Sequence, residues 1–205
     1  MKRNIVYIII ISILAYLVIY FIKNDSASTI SKELSDFSVN DTSLVDRVFM
    51  ADKSGKQVLL ERAENGQWKV NKKYFARKDG IELLLETISR IAVMSPVSKK
   101  ATENIFKEMS AISKKVEIYE KGELAKTYYV GSDNKEPMGT YMLMAGSSVP
   151  YIMAIPGFNG FVSVRYFLDE ADWRDKTVFK HSPKDILKIQ VTYPETPENS
   201  FAVIS

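Results

Sequence analysis

Ile5 to Ile22 is a run of 18 residues whose only clearly polar groups are Ser12 and the tyrosine hydroxyls. As a helix it spans about 27 Å, close to the hydrocarbon thickness of a bilayer. Thirteen of these residues are Ile, Leu, Val or Phe, so insertion is favoured by roughly 4 to 8 kcal/mol. The run is either a permanent anchor or a cleaved signal. Its length favours the anchor, because a signal's apolar region runs about 7 to 15 residues. Ser26-Ala27-Ser28 nevertheless offers small residues at a cleavage-like spacing.

The formal charge of +3 is carried by Lys2, Arg3 and Lys23, which flank this run. Basic residues concentrated before the span place the N-terminus in the cytoplasm and the rest of the chain outside it, periplasmic or otherwise extracytoplasmic. From Asn24 onward, acidic and basic residues balance at 25 each. A nucleic-acid partner needs a cationic surplus, and none is expected here. With no Cys and only His181, the chain has no disulfides, thiolate sites or histidine-rich metal centre.

Four segments follow: an anchor over 1–23, a polar stalk over 24–41, an extracytoplasmic α+β domain over 42–180, and the start of a second similar unit over 181–205. The stalk is rich in Ser, Thr, Asp and Asn, with Ile30, Leu34 and Phe37 spaced for a short helix. Leu44–Ala51 and Gln57–Arg62 flank a Ser-Gly turn, and Asn65-Gly66 leads into Gln67–Val70, predicting a three-strand meander. Trp68 within it reads as a packing residue rather than a ligand platform.

Asp79 and Glu82 form a capping-box pattern before Ile81, Leu84, Leu85, Ile88 and Ile91, an apolar helical stripe that covers a sheet face. Thr102–Ile112 predicts a shorter helix with Ile105, Phe106, Met109 and Ile112 inward. Four strands follow: 115–119, 124–130, 139–145 and 149–155, with a polar loop over 132–137. Phe161–Leu168 is read as a helix under the sheet. Asp185–Val191 and Phe201–Ile204 repeat the logic of the first hairpin about 140 residues later. The chain stops inside this last strand and reads as a piece of a longer protein.

The search for catalysis finds no P-loop, nucleophile elbow, dinucleotide fingerprint or zinc-protease motif. Ser132 to Lys135 fits S-x-x-K, but in a polar loop rather than at a helix start. Asp169, Glu170, Asp172 and Asp175 are interleaved with Arg174, lack calcium-loop spacing, and read as a solvated turn; His181 lies in a connection. Aromatic strand residues remain. Those pointing inward fill the core, the favoured reading for the set, while any pointing outward form a partner surface, with Tyr129, Tyr141 and Trp173 as the candidates.

The apolar span, Gly66-Gln67-Trp68-Lys69-Val70, Lys126–Gly131, Gly139–Leu143 and Phe167 through Lys176, taken in order, resemble a family of bacterial envelope proteins, the domain of unknown function 4340. The resemblance covers the chain from about Leu44 onward. It implies an α+β unit that occurs more than once, on a membrane-anchored auxiliary protein encoded beside ABC-type transport components related to gliding or secretion. It carries over no catalytic residues and no cofactor. The expectation is thus a non-enzymatic single-pass protein that binds an ABC-type permease or ATPase assembly. The alternative is an extracytoplasmic module for glycan or peptide.

Overall fold

The computed structural model of the chain describes Tyr7 and residues 13–16, 36–179 and 181–204. The predicted span over 5–22, apart from Tyr7 and 13–16, and the stalk over 24–35 lie outside the described residues. No helix among the described residues is long and apolar enough to cross a membrane. The chain divides into two compact units, the first ending at Arg174 and the second being Asp175–Ser205. The division falls earlier than the break expected after Lys180.

The first unit is α+β and is built on one antiparallel sheet. β1 (Val45–Ala51) and β2 (Gln57–Arg62) form the predicted hairpin, and β3 (Trp68–Val70) extends it. The turn between β1 and β2 is held by Asp52, whose Oδ1 accepts from Ser54 N (2.8 Å) and Lys56 N (3.1 Å). Gly55, at φ +89°, supplies the left-handed residue that the reversal needs.

A short edge strand, β4 (Tyr74–Phe75), was not legible. It is reached through Asn71 and Lys72 at φ 49° and 60°, with Lys73 N donating to Val70 O. Asn tolerates this backbone and Lys ordinarily does not, so the turn signal was only half present.

α1 (Lys78–Arg90) carries the predicted stripe. Ile81, Leu84 and Ile88 are buried, as is Ile91 just beyond the helix, and each such side chain contributes roughly 1.5 to 3 kcal/mol. The expected cap is corrected. Arg77 is the N-cap residue and makes no side-chain cap bond; its carbonyl accepts from Ile81 N. Asp79 sits inside the first turn and pairs with Arg77 (3.4 Å), where its charge suits the helix dipole. Glu82 pairs with Lys78 instead of reaching back.

β5 (Ala92–Pro96) follows as an edge strand, the one place in a sheet where Pro96 is tolerated. α2 (Lys99–Ile112) buries Ile105 and Met109, half-buries Phe106, and leaves Ile112 56% exposed at its end, against expectation. β6 (Lys114–Glu120), β7 (Glu123–Lys135), β8 (Met138–Met144) and β9 (Tyr151–Ala154) complete a nine-stranded sheet ordered β4-β3-β2-β1-β6-β7-β8-β9-β5.

The polar stretch 132–137 is not a loop. Beyond a bulge, pairing resumes through Asp133↔Thr140, Asn134↔Gly139 and Lys135↔Met138, leaving only Glu136-Pro137 to turn. Nor is Phe161–Leu168 a helix, since only Ser163–Arg165 makes a single 3₁₀ turn. The amide N–H groups of Val162 and Ser163 donate to Thr140 Oγ1, and Val162 and Tyr166 are drawn into the core, which outweighs local helix formation.

One face of the sheet carries the main core, from Val70, Leu60, Val48 and Ile118 to Tyr128, Met144 and Met153. α1 covers it together with Val162, Tyr166, Trp173 and the chain before β1. There the stalk reading fails for its last residues. Phe37 is 1% and Val39 2% exposed. Phe37 lies with its ring 5.8 Å from that of Tyr128, and Val39 N donates to Ile88 O. The folded unit therefore begins at or before Asp36.

The second unit holds an antiparallel hairpin of β10 (Lys188–Val191) and β11 (Phe201–Ile204). Its register pairs Ile189 with Val203 and Val191 with Phe201, so one face is wholly apolar.

Candidate functional site

The opposite, outer face of the main sheet carries the side chains that alternate away from the core. α2 (Lys99–Ile112) covers only the β7-β8-β9 end of it, where Ile105 and Met109 meet Val97 and Ile152. Gly131 permits this approach, since a Cβ there would stand 2.9 Å from Met109 Cγ and 3.1 Å from Tyr141 O. Tyr129 and Tyr141, two of the three predicted surface aromatics, lie half-buried against this patch. Tyr141 donates to Asn134 Oδ1 (3.0 Å), and burial, followed by the nearby Glu108 charge, raises its hydroxyl pKa.

Trp173 is elsewhere. It closes α3 (Glu170–Trp173) on the core side, with no exposure, stacked 4.0 Å from the Phe167 ring and donating Nε1–H to Phe167 O. Its indole is a core plug rather than a partner surface, because the amide of Arg77 donates to its carbonyl and ties α3 under the sheet. The three candidates thus do not form one site.

Across β6, β1, β2, β3 and β4 no helix among the described residues packs on the outer face. Cross-strand pairing lines up Tyr119, Arg47, Glu61, Lys69 and Phe75 in one row. Strands stand about 4.8 Å apart, so the row is roughly 19 Å long. Arg47 lies 4.8 Å from the Tyr119 ring centroid and 3.4 Å from Glu61. Tyr119 donates to Glu117 (2.9 Å), which also pairs with Lys115. Burial raises the Glu117 carboxyl, but the hydrogen bonds from Lys115 and Tyr119 outweigh it and hold it below the usual carboxylate value. The same bond raises the Tyr119 hydroxyl. The ions are cross-linked, flat and open, an arrangement suited to contact rather than to proton transfer.

The middle of the row, Arg47, Glu61 and Lys69, borders a cleft of about 420 Å³ that Asp46, Arg62 and Lys72 also line, among others. Arg62 is held there by the carbonyls of Ser43 and Thr42 (2.9 and 3.2 Å), 5.2 Å from the Trp68 ring. Asp46 Oδ1 and Arg62 Nε are buried with no hydrogen-bond partner among the described residues.

No family model, curated protein or solved structure matches this chain. The reading of the site accordingly rests on geometry.

That geometry also disposes of the weaker motifs. Ser132 and Lys135 belong to β7 (Glu123–Lys135), in extended backbone rather than at the helix start where Lys activates Ser. Asp169 caps α3 by accepting from Ala171 N, and Glu170 accepts from Asn71 Nδ2 (2.7 Å). No group of three or more His, Cys, Asp or Glu among the described residues is placed to hold a metal. His181 is exposed in the second unit. The row itself was missed because each member looks like an ordinary outward residue of its own strand. The alternation was visible; the register that aligns the strands was not.

Proposed function

We propose that the chain is a non-enzymatic, single-pass, membrane-anchored extracytoplasmic protein that serves as an auxiliary subunit of an ABC-type transport or envelope assembly. Residues 5–22 hold it in the bilayer with the N-terminus cytoplasmic; their apolar length and the flanking Lys2 and Arg3 support this. The observation that carries the partner reading is the uncovered half of the outer face, where the row from Tyr119 to Phe75 presents aromatic rings at both ends and ions between. Interfaces favour such Tyr, Phe and Arg contacts. The resemblance to the domain of unknown function 4340 supports the same assembly.

In this reading the hairpin of β10 and β11 begins a second copy of the unit. Like β1 and β2 it is antiparallel, and a 3₁₀ turn precedes each, Thr42–Leu44 and Pro183–Asp185.

Crosslinking in native membranes, followed by purification and mass spectrometry, tests the proposal. The expected result is enrichment of a permease or ATPase, lost in an Arg47→Glu, Lys69→Glu variant that remains folded. Recovery of the chain alone would sink it. A second reading, a glycan- or peptide-binding module, draws on the cleft beside Lys69 and Lys72. Ligand-array binding by the intact chain, abolished by Lys72→Asn, would favour it.

A further inference from the structure

From Gly66 to Lys78 the sequence holds Lys69, Lys72, Lys73, Arg77 and Lys78 and no acidic residue, although the chain beyond Asn24 is neutral as a whole. The fold folds this stretch into one hairpin, β3 (Trp68–Val70) and β4 (Tyr74–Phe75), at the edge of the sheet. Arg77 and Lys78 are paired with Asp79 and Glu82. Among the described residues, Lys69, Lys72 and Lys73 have no ion-pair partner within 4 Å.

A further cation comes from far along the chain. Arg174 lies 3.8 Å from the Tyr74 ring centroid, and Lys73 lies 4.9 Å from it. Asn71 Nδ2, bonded to Glu170, and the backbone bridge between Ala76 and Arg174 pin this strand of chain onto the hairpin. On the other face of the hairpin from Tyr74, which pairs with the core residue Val70, Phe75, 44% exposed, shares the outer face with Lys69.

We infer that this hairpin docks the domain on a bilayer surface rich in anionic lipid, with Lys69, Lys72 and Lys73 on headgroup phosphates and Phe75 at the acyl boundary. Charge complementarity selects an anionic partner. An exposed ring amid lysines selects a surface with an apolar layer beneath its charge, which a soluble polyanion lacks. The inference rests on the proposed anchor for the bilayer's nearness. Docking would turn a domain on a tether into one held at a fixed attitude, with the Arg47–Glu61 stretch of the outer face presented to a neighbouring membrane protein.

The test uses the full chain in liposomes of neutral lipid, or of the same lipid mixed with phosphatidylglycerol. The chain has no cysteine of its own, so Gln67→Cys can carry a polarity-sensitive dye beside the patch and Ser110→Cys a control dye on α2 (Lys99–Ile112). The expected result is a salt-reversible shift of the first dye only, and only with the anionic lipid. At about fivefold per lysine, K69Q, K72N and K73Q together lower the ratio of docked to undocked domain on the order of a hundredfold. Asn is chosen at 72 because it tolerates the left-handed backbone there; in the K69Q, K73Q background K72R, which keeps the charge, docks about fivefold better than K72N.

A dye response indifferent to lipid charge, or unchanged in the triple variant, overturns the inference. So does binding to soluble polyphosphate with no response to vesicles. Resistance of the chain to alkaline extraction is read separately. If the chain washes off yet its hairpin still responds to added anionic vesicles, the anchor fails while the docking stands.

Discussion

Tyr128 and Tyr166 face each other in the core with no exposure, their hydroxyl oxygens 3.0 Å apart and their rings edge to face at 6.2 Å. Changing either to Phe strands the other hydroxyl in a dry site, which costs about 1 to 3 kcal/mol; changing both removes donor and acceptor together and is nearly neutral. Each single variant therefore melts roughly 2 to 12 °C lower, at about 2 to 4 °C per kcal/mol for a unit of this size, and the double variant melts close to the parent. Both tryptophans, Trp68 and Trp173, lie in the same core, so urea unfolding followed by intrinsic fluorescence reads its stability directly.

The pair also titrates. Burial pushes the Tyr166 hydroxyl up to about 12, although its bond to Tyr128 and the Arg165 charge pull the other way, and burial raises Tyr128 as well. A folded-state pKa above the unfolded value of about 10 means stability that is whole below pH 10 and lost as pH rises toward 12, by about 3 kcal/mol from Tyr166. The double variant, which has neither hydroxyl to titrate, should therefore become more stable than the parent across that window. Additive single costs, or a gap that stays constant with pH, would refute the reasoning.

Gly139→Ala should destabilise, because its Cβ would stand 2.6 Å from Ile152 Cγ2 and 2.8 Å from the Met153 carbonyl oxygen, whereas Gly80→Ala meets only the flexible Arg77 side chain and should gain up to about 1 kcal/mol from helix propensity; paired urea curves decide it. Trp173→Ala empties a fully buried site and should cost about 3 to 5 kcal/mol, with hydrogen exchange rising first at Arg77, whose amide donates to the Trp173 carbonyl. Tyr141→Phe loses one half-exposed bond to Asn134 and should cost about 1 kcal/mol or less, while Tyr141→Ala loosens α2 (Lys99–Ile112) and raises its exchange. Arg47→Ala breaks an open pair with Glu61 and should move the melting point by no more than a few degrees, which keeps that position usable for crosslinking tests.

The parts of the fold readable from the chain were those in which local and tertiary signals agree. α1 (Lys78–Arg90) declared itself through Ile81, Leu84 and Ile88, and the first hairpin through Asp52 and Gly55, because a stripe or a left-handed turn is written within a few residues. The failures lie where a distant group overrules local pattern. Phe161–Leu168 reads as helical until Thr140, on β8 (Met138–Met144), takes the amides of Val162 and Ser163. Phe37 and Val39 sit in polar surroundings yet end in the core, because Ile88 O offers Val39 N a partner. Ser132 to Lys135 looks like a loop until Gly139 and Thr140 return opposite it.

The candidate site illustrates the same limit more sharply. Tyr129 and Tyr141 lie on the outer face, where α2 reaches that end of the sheet and half-buries them. The face left open belongs to Arg47, Glu61 and Lys69, residues that any surface strand might carry. Their meaning lies in alignment. A sheet whose outer face were mere solvent boundary would need no such order, since isolated exposed pairs contribute little stability. Here a cation is stacked on Tyr119, bonded to Glu61 and followed in register by Lys69 and Phe75. Ions already locked to one another lose less side-chain freedom when a partner covers them than free lysines do. That economy is what a docking face gains from pre-formed pairs, and it is why the proposed interaction surface is placed in the half of the sheet that α2 does not cover.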